Sequence, residues 1–186
     1  MPKIIEDEKV YQAVLQTIIE RGYAGATTKQ MADAADVSEV TLFRKYESKL
    51  QLVGQAIVWL ADQMNLASAA FYTGDIKADL LRVVQAYQES VVRHGQFFMV
   101  IISEMQRVPE LTGLARVPFN IFQEIGQMLA RYQAEGVLRQ EHPLHALAAL
   151  LGPMIYTTMM RSALEDDLLP PLDLSIHVSS FLEGRG

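Results

Sequence analysis

The sequence predicts an all-α fold of about nine helices. Apolar residues recur every three to four positions along nearly the whole chain, and no stretch alternates apolar with polar residues as a half-buried strand would. Glycines and prolines fall where one apolar stripe ends and the next begins. The 186 residues suffice for a sizeable core, half of them are apolar, and none is cysteine. A disulfide framework and cysteine-based zinc or redox chemistry are thereby excluded, as suits a reducing compartment. The segment before Val10 carries Glu6, Asp7 and Glu8 and lacks the apolar core of a secretion signal. The apolar runs Phe97–Ile102 and Leu147–Met160 are too short or too interrupted to span a bilayer, so a soluble, cytoplasmic protein without a membrane partner is expected.

In the first helix Val10, Ala13, Val14 and Ile18 share a face, and Gly22 offers a left-handed stop. A short second helix runs from Thr28 to Ala35 with Met31 and Ala32 facing inward. Val37 and Ser38 make a turn, and Ser38 caps a third helix through Leu42 to Tyr46. Ser48 caps a fourth, whose stripe is Val53, Ile57, Leu60, Met64 and Ala67. Gly74-Asp75 breaks the chain before an amphipathic run from Ile76 to Val92, and Gly95 precedes an apolar piece from Phe97 to Met105. After Pro109, Pro118 suits the first turn of a helix carrying Phe119, Phe122, Ile125, Leu129 and Tyr132, with Gly136 as its stop. His142-Pro143 opens another through Ala163, in which Pro153, beside Gly152, is expected to produce a bend. Pro170-Pro171 precedes a last helix ending near Leu182.

The informative segment is Thr27 to Leu52. Two short helices joined by a tight turn need a third beneath them, which Val10 to Ile19 supplies. On the third helix Glu39, Val40, Phe43, Arg44 and Glu47 fall on one side, with Leu42 and Tyr46 on another. The second side packs inward, and the first is left to enter a DNA major groove. A net charge of −6 runs against a generic nucleic-acid binder, yet Lys29, Arg44, Lys45 and Lys49 supply local positive charge.

The pattern Gly22-Tyr23, Thr27-Thr28, Met31-Ala32, Ala35, Val37-Ser38, Thr41-Leu42, Phe43, Tyr46, Lys49 and Leu52 resembles, in order and spacing, the first four helices of the TetR (tetracycline-repressor-like) transcriptional regulators. The resemblance covers the first quarter to third of the chain. It implies a helix-turn-helix DNA-binding domain over residues 1–48 and an effector-binding and dimerisation domain over 49–186. It implies a homodimeric repressor, without cofactor, that holds a palindromic operator in double-stranded DNA and is released by an apolar small molecule. Thr28 and Lys49 would then meet phosphates, while Glu39, Val40, Phe43 and Arg44 read bases. Lys29, Ser38, Thr41 and Lys45 complete the implied surface, although Thr28 is equally a plain helix cap.

Three positions depart from the family pattern. Asp36 stands where glycine is usual, and aspartate tolerates the left-handed backbone the turn requires. Phe43 replaces a tyrosine whose hydroxyl meets a phosphate, and is left to touch a thymine methyl. Glu6, Asp7 and Glu8 replace basic residues, so weaker or more salt-sensitive binding is expected.

Beyond about Gly74 the resemblance implies an effector pocket, with Phe98, Met99, Met105, Phe119, Phe122, Met128, Met154 and Tyr156 as candidate lining. Methionine fills irregular space and adapts to varied ligands, though ordinary core packing competes as an explanation for each residue. For dimerisation, Ala146, Ala148, Ala149 and Gly152 allow close approach, while Leu147, Leu151, Ile155, Val178, Phe181 and Leu182 supply apolar area for a two-fold four-helix bundle. His142 and His145, three apart beside Glu141, have a spacing that holds metals but read as surface residues at a helix start. With no H-E-x-x-H, phosphate loop or nucleophile elbow, no catalytic residue, metal site or enzyme activity is expected. A second reading stays open. Asp36, Phe43 and the acidic start also fit a helical ligand-binding or co-activator module that keeps the fold without binding DNA.

Overall fold

A computed structural model describes residues 6–163 and 169–186. Among them lie nine α-helices, one 3-10 helix and no strand. The helices are α1 (Asp7–Gly25), α2 (Thr28–Ala34), α3 (Glu39–Tyr46), α4 (Lys49–Gln63), α5 (Leu66–Ala69), α6 (Ile76–Met105), α7 (Arg116–Ala134), α8 (Pro143–Ala163) and α9 (Leu174–Glu183), with the 3-10 helix at Pro109–Ala115.

Packing divides the chain into two units rather than at residue 48. The first comprises Met1–Gln63 with His94–Val117, and the second Met64–Arg93 with Pro118–Gly186. The physical reason is that α4, the C-terminal part of α6 and the 3-10 helix close the interior of α1 to α3. Val14, Ile18, Met31, Leu42, Tyr46 and Leu60 form one apolar cluster with Phe97, Ile101 and Leu111, all of them buried. The second unit buries Leu80, Val84, Ile125, Leu129, Leu150 and Val178, and also an ionisable group, Asp79. That carboxylate accepts hydrogen bonds from Thr73 N (2.8 Å), Thr73 Oγ1 (2.6 Å), Arg82 (2.9 Å) and Tyr132 Oη (2.5 Å). Burial alone raises its pKa, but the donors around it outweigh that and hold it at about 2.

Two boundaries differ from the sequence reading. The stripe of α4 ends at Leu60, because the helix stops at Gln63 and Asn65 turns left-handed (φ 52°). Met64 therefore lies beyond the helix, and Ala67 is exposed on α5. Gly95 interrupts nothing, and α6 runs unbroken for 30 residues. Its buried positions, Leu80, Val83, Val84, Tyr87, Ser90, Phe97 and Ile101, hold one helical phase across the glycine. That burial outweighs the roughly 1 kcal/mol a mid-helix glycine costs. Similarly α8 continues through Pro153, whose carbonyl accepts from Thr157 Oγ1 at 2.7 Å.

Candidate nucleic-acid interface

The ends of α2 and α3 are fixed by local chemistry. Thr27 accepts from Gln30 N while the Gln30 side chain accepts from Thr27 N, closing a capping box. Beyond Ala35 the chain turns at Asp36, which adopts φ 57° and takes the place of the usual glycine. Its carboxylate lies 3.9 Å from the Lys9 ammonium, a loose surface pair. Ser38 Oγ accepts from Thr41 N at 3.1 Å and starts α3. At the far end Glu47 adopts φ 60°, and Ser48 Oγ accepts from Gln51 N at 3.2 Å to start α4.

Between those ends α3 has two unlike faces. Leu42 and Tyr46 are 2 % and 1 % exposed, and the Tyr46 ring meets Tyr11 edge-on at 6.1 Å. Opposite them Val40 is 77 % and Phe43 47 % exposed, with Arg44 also in solvent. Such apolar exposure on an otherwise well-anchored helix is what a groove-reading surface presents. Lys29 is exposed on α2, and neither it nor Arg44 has an ion pair among the described residues.

The remaining implied contacts are placed differently. The Thr28 hydroxyl donates to the Glu39 carboxylate at 2.6 Å, tying α2 to α3. Lys45 is bonded to Asp7, which also accepts from Tyr46 Oη at 3.0 Å. The Lys45 bond holds the Asp7 carboxyl below its ordinary value, against the opposing effect of burial. Asp7 thus neutralises a cation of α3 itself. Lys49 folds back as well, donating to the Tyr23 carbonyl with its ammonium 4.1 Å from that ring's centroid. Burial lowers its pKa, opposed by Glu104 and Glu110.

These two glutamates had no signal in the sequence. Glu104 accepts from Ala24 N at 2.9 Å and Glu110 from Tyr23 Oη at 2.8 Å. Gly22 adopts φ 69°, and any Cβ there would run into the Glu104 carboxylate, so its absent side chain makes room for that contact. The partners stand more than 75 residues apart. Only a long-range observation reveals them.

The expected effector residues are not brought into one cavity. Phe98 and Met105 pack against the core of the first unit, where Met99 is also half-buried. Phe119 and Tyr156 are 46 % and 62 % exposed, and Phe122 is half-buried. The second unit has a cleft of about 350 Å³ lined by residues of α5 and α7 with Phe71 and Tyr72; of the expected residues it includes Met128. Glu124, Gln127 and Arg131 share this lining, so it is mixed rather than apolar. Met154 lines a smaller cleft of about 50 Å³ with Tyr87, Val91 and Leu172.

Most of the residues expected to pair two copies point inward. Leu147, Leu151, Val178 and Phe181 are 0–5 % exposed within their own chain, so they close its core, and Leu182 is half-buried. The apolar residues left in solvent are Ile155, Tyr156 and Met159 on α8 and Ile176 on α9. His142 starts α8, its Nδ1 accepting from Leu144 N at 3.3 Å, and Glu141 pairs with Arg139 and Arg185. Among the described residues no three metal-capable side chains cluster, and no helix is long and apolar enough to cross a membrane.

Comparison with known proteins agrees with the helix-turn-helix. Residues 11–56 match the family model described as bacterial regulatory proteins, tetR family. Over 78 residues the chain is 33 % identical to the uncharacterized HTH-type transcriptional regulator YvkB of Bacillus subtilis, covering 41 % of this chain and 40 % of that one. Over 113 residues it is 25 % identical to an uncharacterized HTH-type transcriptional regulator of Mycobacterium bovis, covering 61 % and 54 % respectively. The chain therefore matches about half the length of these relatives. In fold the likeness extends over nearly the whole chain: a TetR family transcription regulator from Marinobacter aquaeolei superposes with a TM-score of 0.75 at 14 % identity, covering 96 % of this chain and 94 % of that one.

Proposed function

We propose that this chain, a member of the TetR family through its N-terminal module, is a transcriptional repressor that binds an operator in double-stranded DNA as a homodimer and is released by a small molecule. The observation that carries the reading is the asymmetry of α3. Leu42 and Tyr46 lock it from beneath, while Val40, Phe43 and Arg44 stand in solvent on a helix whose dimensions suit the major groove. The exposure of Ile155, Tyr156, Met159 and Ile176 supports a two-fold assembly. Its two recognition helices then meet an inverted repeat, spaced by about 34–36 Å or a multiple.

The cleft bearing Phe71, Met128 and Arg131 supports an effector with both apolar and polar groups, in place of a purely apolar one. Such a ligand acts by preferring the form that fits DNA less well, and a hundredfold loss of operator affinity requires about 2.7 kcal/mol of that preference. The test is selection of bound fragments from random duplex DNA with the full chain, followed by sequencing. An enriched inverted repeat is expected. A dimeric protein that enriches nothing overturns the repressor and favours the module without DNA contact, for which the engagement of Lys45 by Asp7 and of Lys49 by Tyr23 is the supporting observation.

A further inference from the structure

We infer that Glu39, held in place by Thr28, selects a G·C base pair by accepting a hydrogen bond from cytosine N4 in the major groove; this rests on the DNA-binding reading above. Glu39 is the first residue of α3, four before Phe43 on the same side and next to Val40, which is 77 % exposed. Its Oε1 accepts the Thr28 hydroxyl proton at 2.6 Å, and its Oε2 has no hydrogen-bond partner among the described residues. The bond joins the first turn of α2 to the first turn of α3, so Thr28 fixes the direction of a side chain that would otherwise sample several rotamers.

A carboxylate on a surface that approaches phosphates is repelled, unless a donor on the bases accepts its presence. It offers lone pairs only, so the base edge opposite must supply a proton. The major groove offers two such edges, cytosine N4–H₂ and adenine N6–H₂. Beside the adenine amino group lies N7, an acceptor whose lone pair would oppose the second carboxylate oxygen. Beside the cytosine amino group lies only a C5–H. The carboxylate therefore favours cytosine. Thr28, with its proton given to Glu39, has none left for a phosphate and is a positioning residue.

The experiment repeats the selection from random duplex DNA with full-length Glu39→Gln, Glu39→Ala, Thr28→Val and Thr28→Ser, each first checked for native helicity and melting. The wild type should prefer cytosine roughly tenfold at one position of each half-site. Glu39→Gln should move that position to adenine, because an amide both donates to N7 and accepts from N6. Glu39→Ala should level that position alone. Thr28→Val should weaken the same preference and leave the others, and Thr28→Ser should restore it. If Glu39→Ala enriches the wild-type sites unchanged at every position, the inference is overturned while DNA binding stands. If Thr28→Val instead lowers affinity for all sequences by one factor, Thr28 is a phosphate contact and its positioning role is overturned. A wild type that enriches no sequence overturns the DNA-binding reading and this inference with it.

Discussion

The first unit closes over an almost wholly apolar interior, whereas the second builds its interior partly around an ionised carboxylate. In the first, Ile18, Met31, Leu42 and Leu60 fill the centre, and the polar bonds of Asp7, Glu104 and Glu110 lie toward the rim. The hydroxyl of buried Thr17 bonds back to the Ala13 carbonyl. In the second, Asp79 is wholly buried and gathers Thr73, Arg82 and Tyr132. The difference shows that two helical units of one chain reach stability by two routes. One depends on volume and is blind to pH. The other depends on proton occupancy.

The surfaces differ as well, and the largest expected effects separate surface from core on α8. Leu151→Glu buries a charge at a position 2 % exposed and should abolish folding, since an unpaired buried charge costs several kcal/mol. Tyr156→Glu, at 62 % exposure, should leave a folded protein that no longer dimerises. Light scattering and circular dichroism distinguish the two, and a wild type that is monomeric at tens of micromolar breaks the assignment of this row to an interface. The same contrast on α3 is smaller. Leu42→Ala should cost about 3 kcal/mol by chemical denaturation, while Phe43→Ala should leave stability within about 0.5 kcal/mol and weaken DNA binding.

Acid sharpens the comparison between the units. Asp79 titrates at about 2 in the folded chain against 3.8 ordinarily, so folding favours its ionised form. That contribution, about 2 kcal/mol, is complete above about pH 4 and is lost as pH falls through about 2. Asp79→Asn should destabilise the protein by about that amount at neutral pH and flatten the acid limb of a melting-temperature profile. An unchanged profile would show that the network does not hold the second unit. Ser38→Ala should cost about 1 kcal/mol through loss of a cap. The smallest effect is electrostatic. Asp7→Asn frees Lys45, and the slope of log affinity against log salt should steepen by about 0.9 for each new phosphate contact, or about 1.8 for a dimer.

How much of this was legible follows from how local each cause is. The caps at Ser38 and Ser48, the left-handed Asp36 and the inward pair Leu42 and Tyr46 are set by residues within four positions, and the sequence displays them. On α8 nearly every side chain is apolar or small, so no polar stripe marks which face is solvent. Of the residues expected at an interface, Leu147 and Leu151 are buried within the chain, while Ile155 faces out beside Tyr156 and Met159. Gly95 looked like punctuation because a glycine's cost is local, while the burial that overrides it is tertiary. Pocket and core are equally hard to tell apart in the sequence, for a related reason. Methionine and phenylalanine serve a core and a pocket equally, and Phe98 and Met105 serve the core of the other unit.

That the first unit is assembled from two separate stretches of chain matters while the protein is being made. A ribosome that has passed Gln63 has released α1 to α4, yet Phe97, Ile101 and Leu111, which complete their core, do not exist. At about 5–20 residues per second, the stretch to Val117 takes roughly 3–11 s to appear. During that interval the apolar backs of α1 and α4 wait uncovered, and Tyr23 and Gly22 have no glutamates to meet. The N-terminal unit of this molecule is therefore encoded first and finished late, and a nascent chain stalled before His94 carries α3 without the ground it stands on.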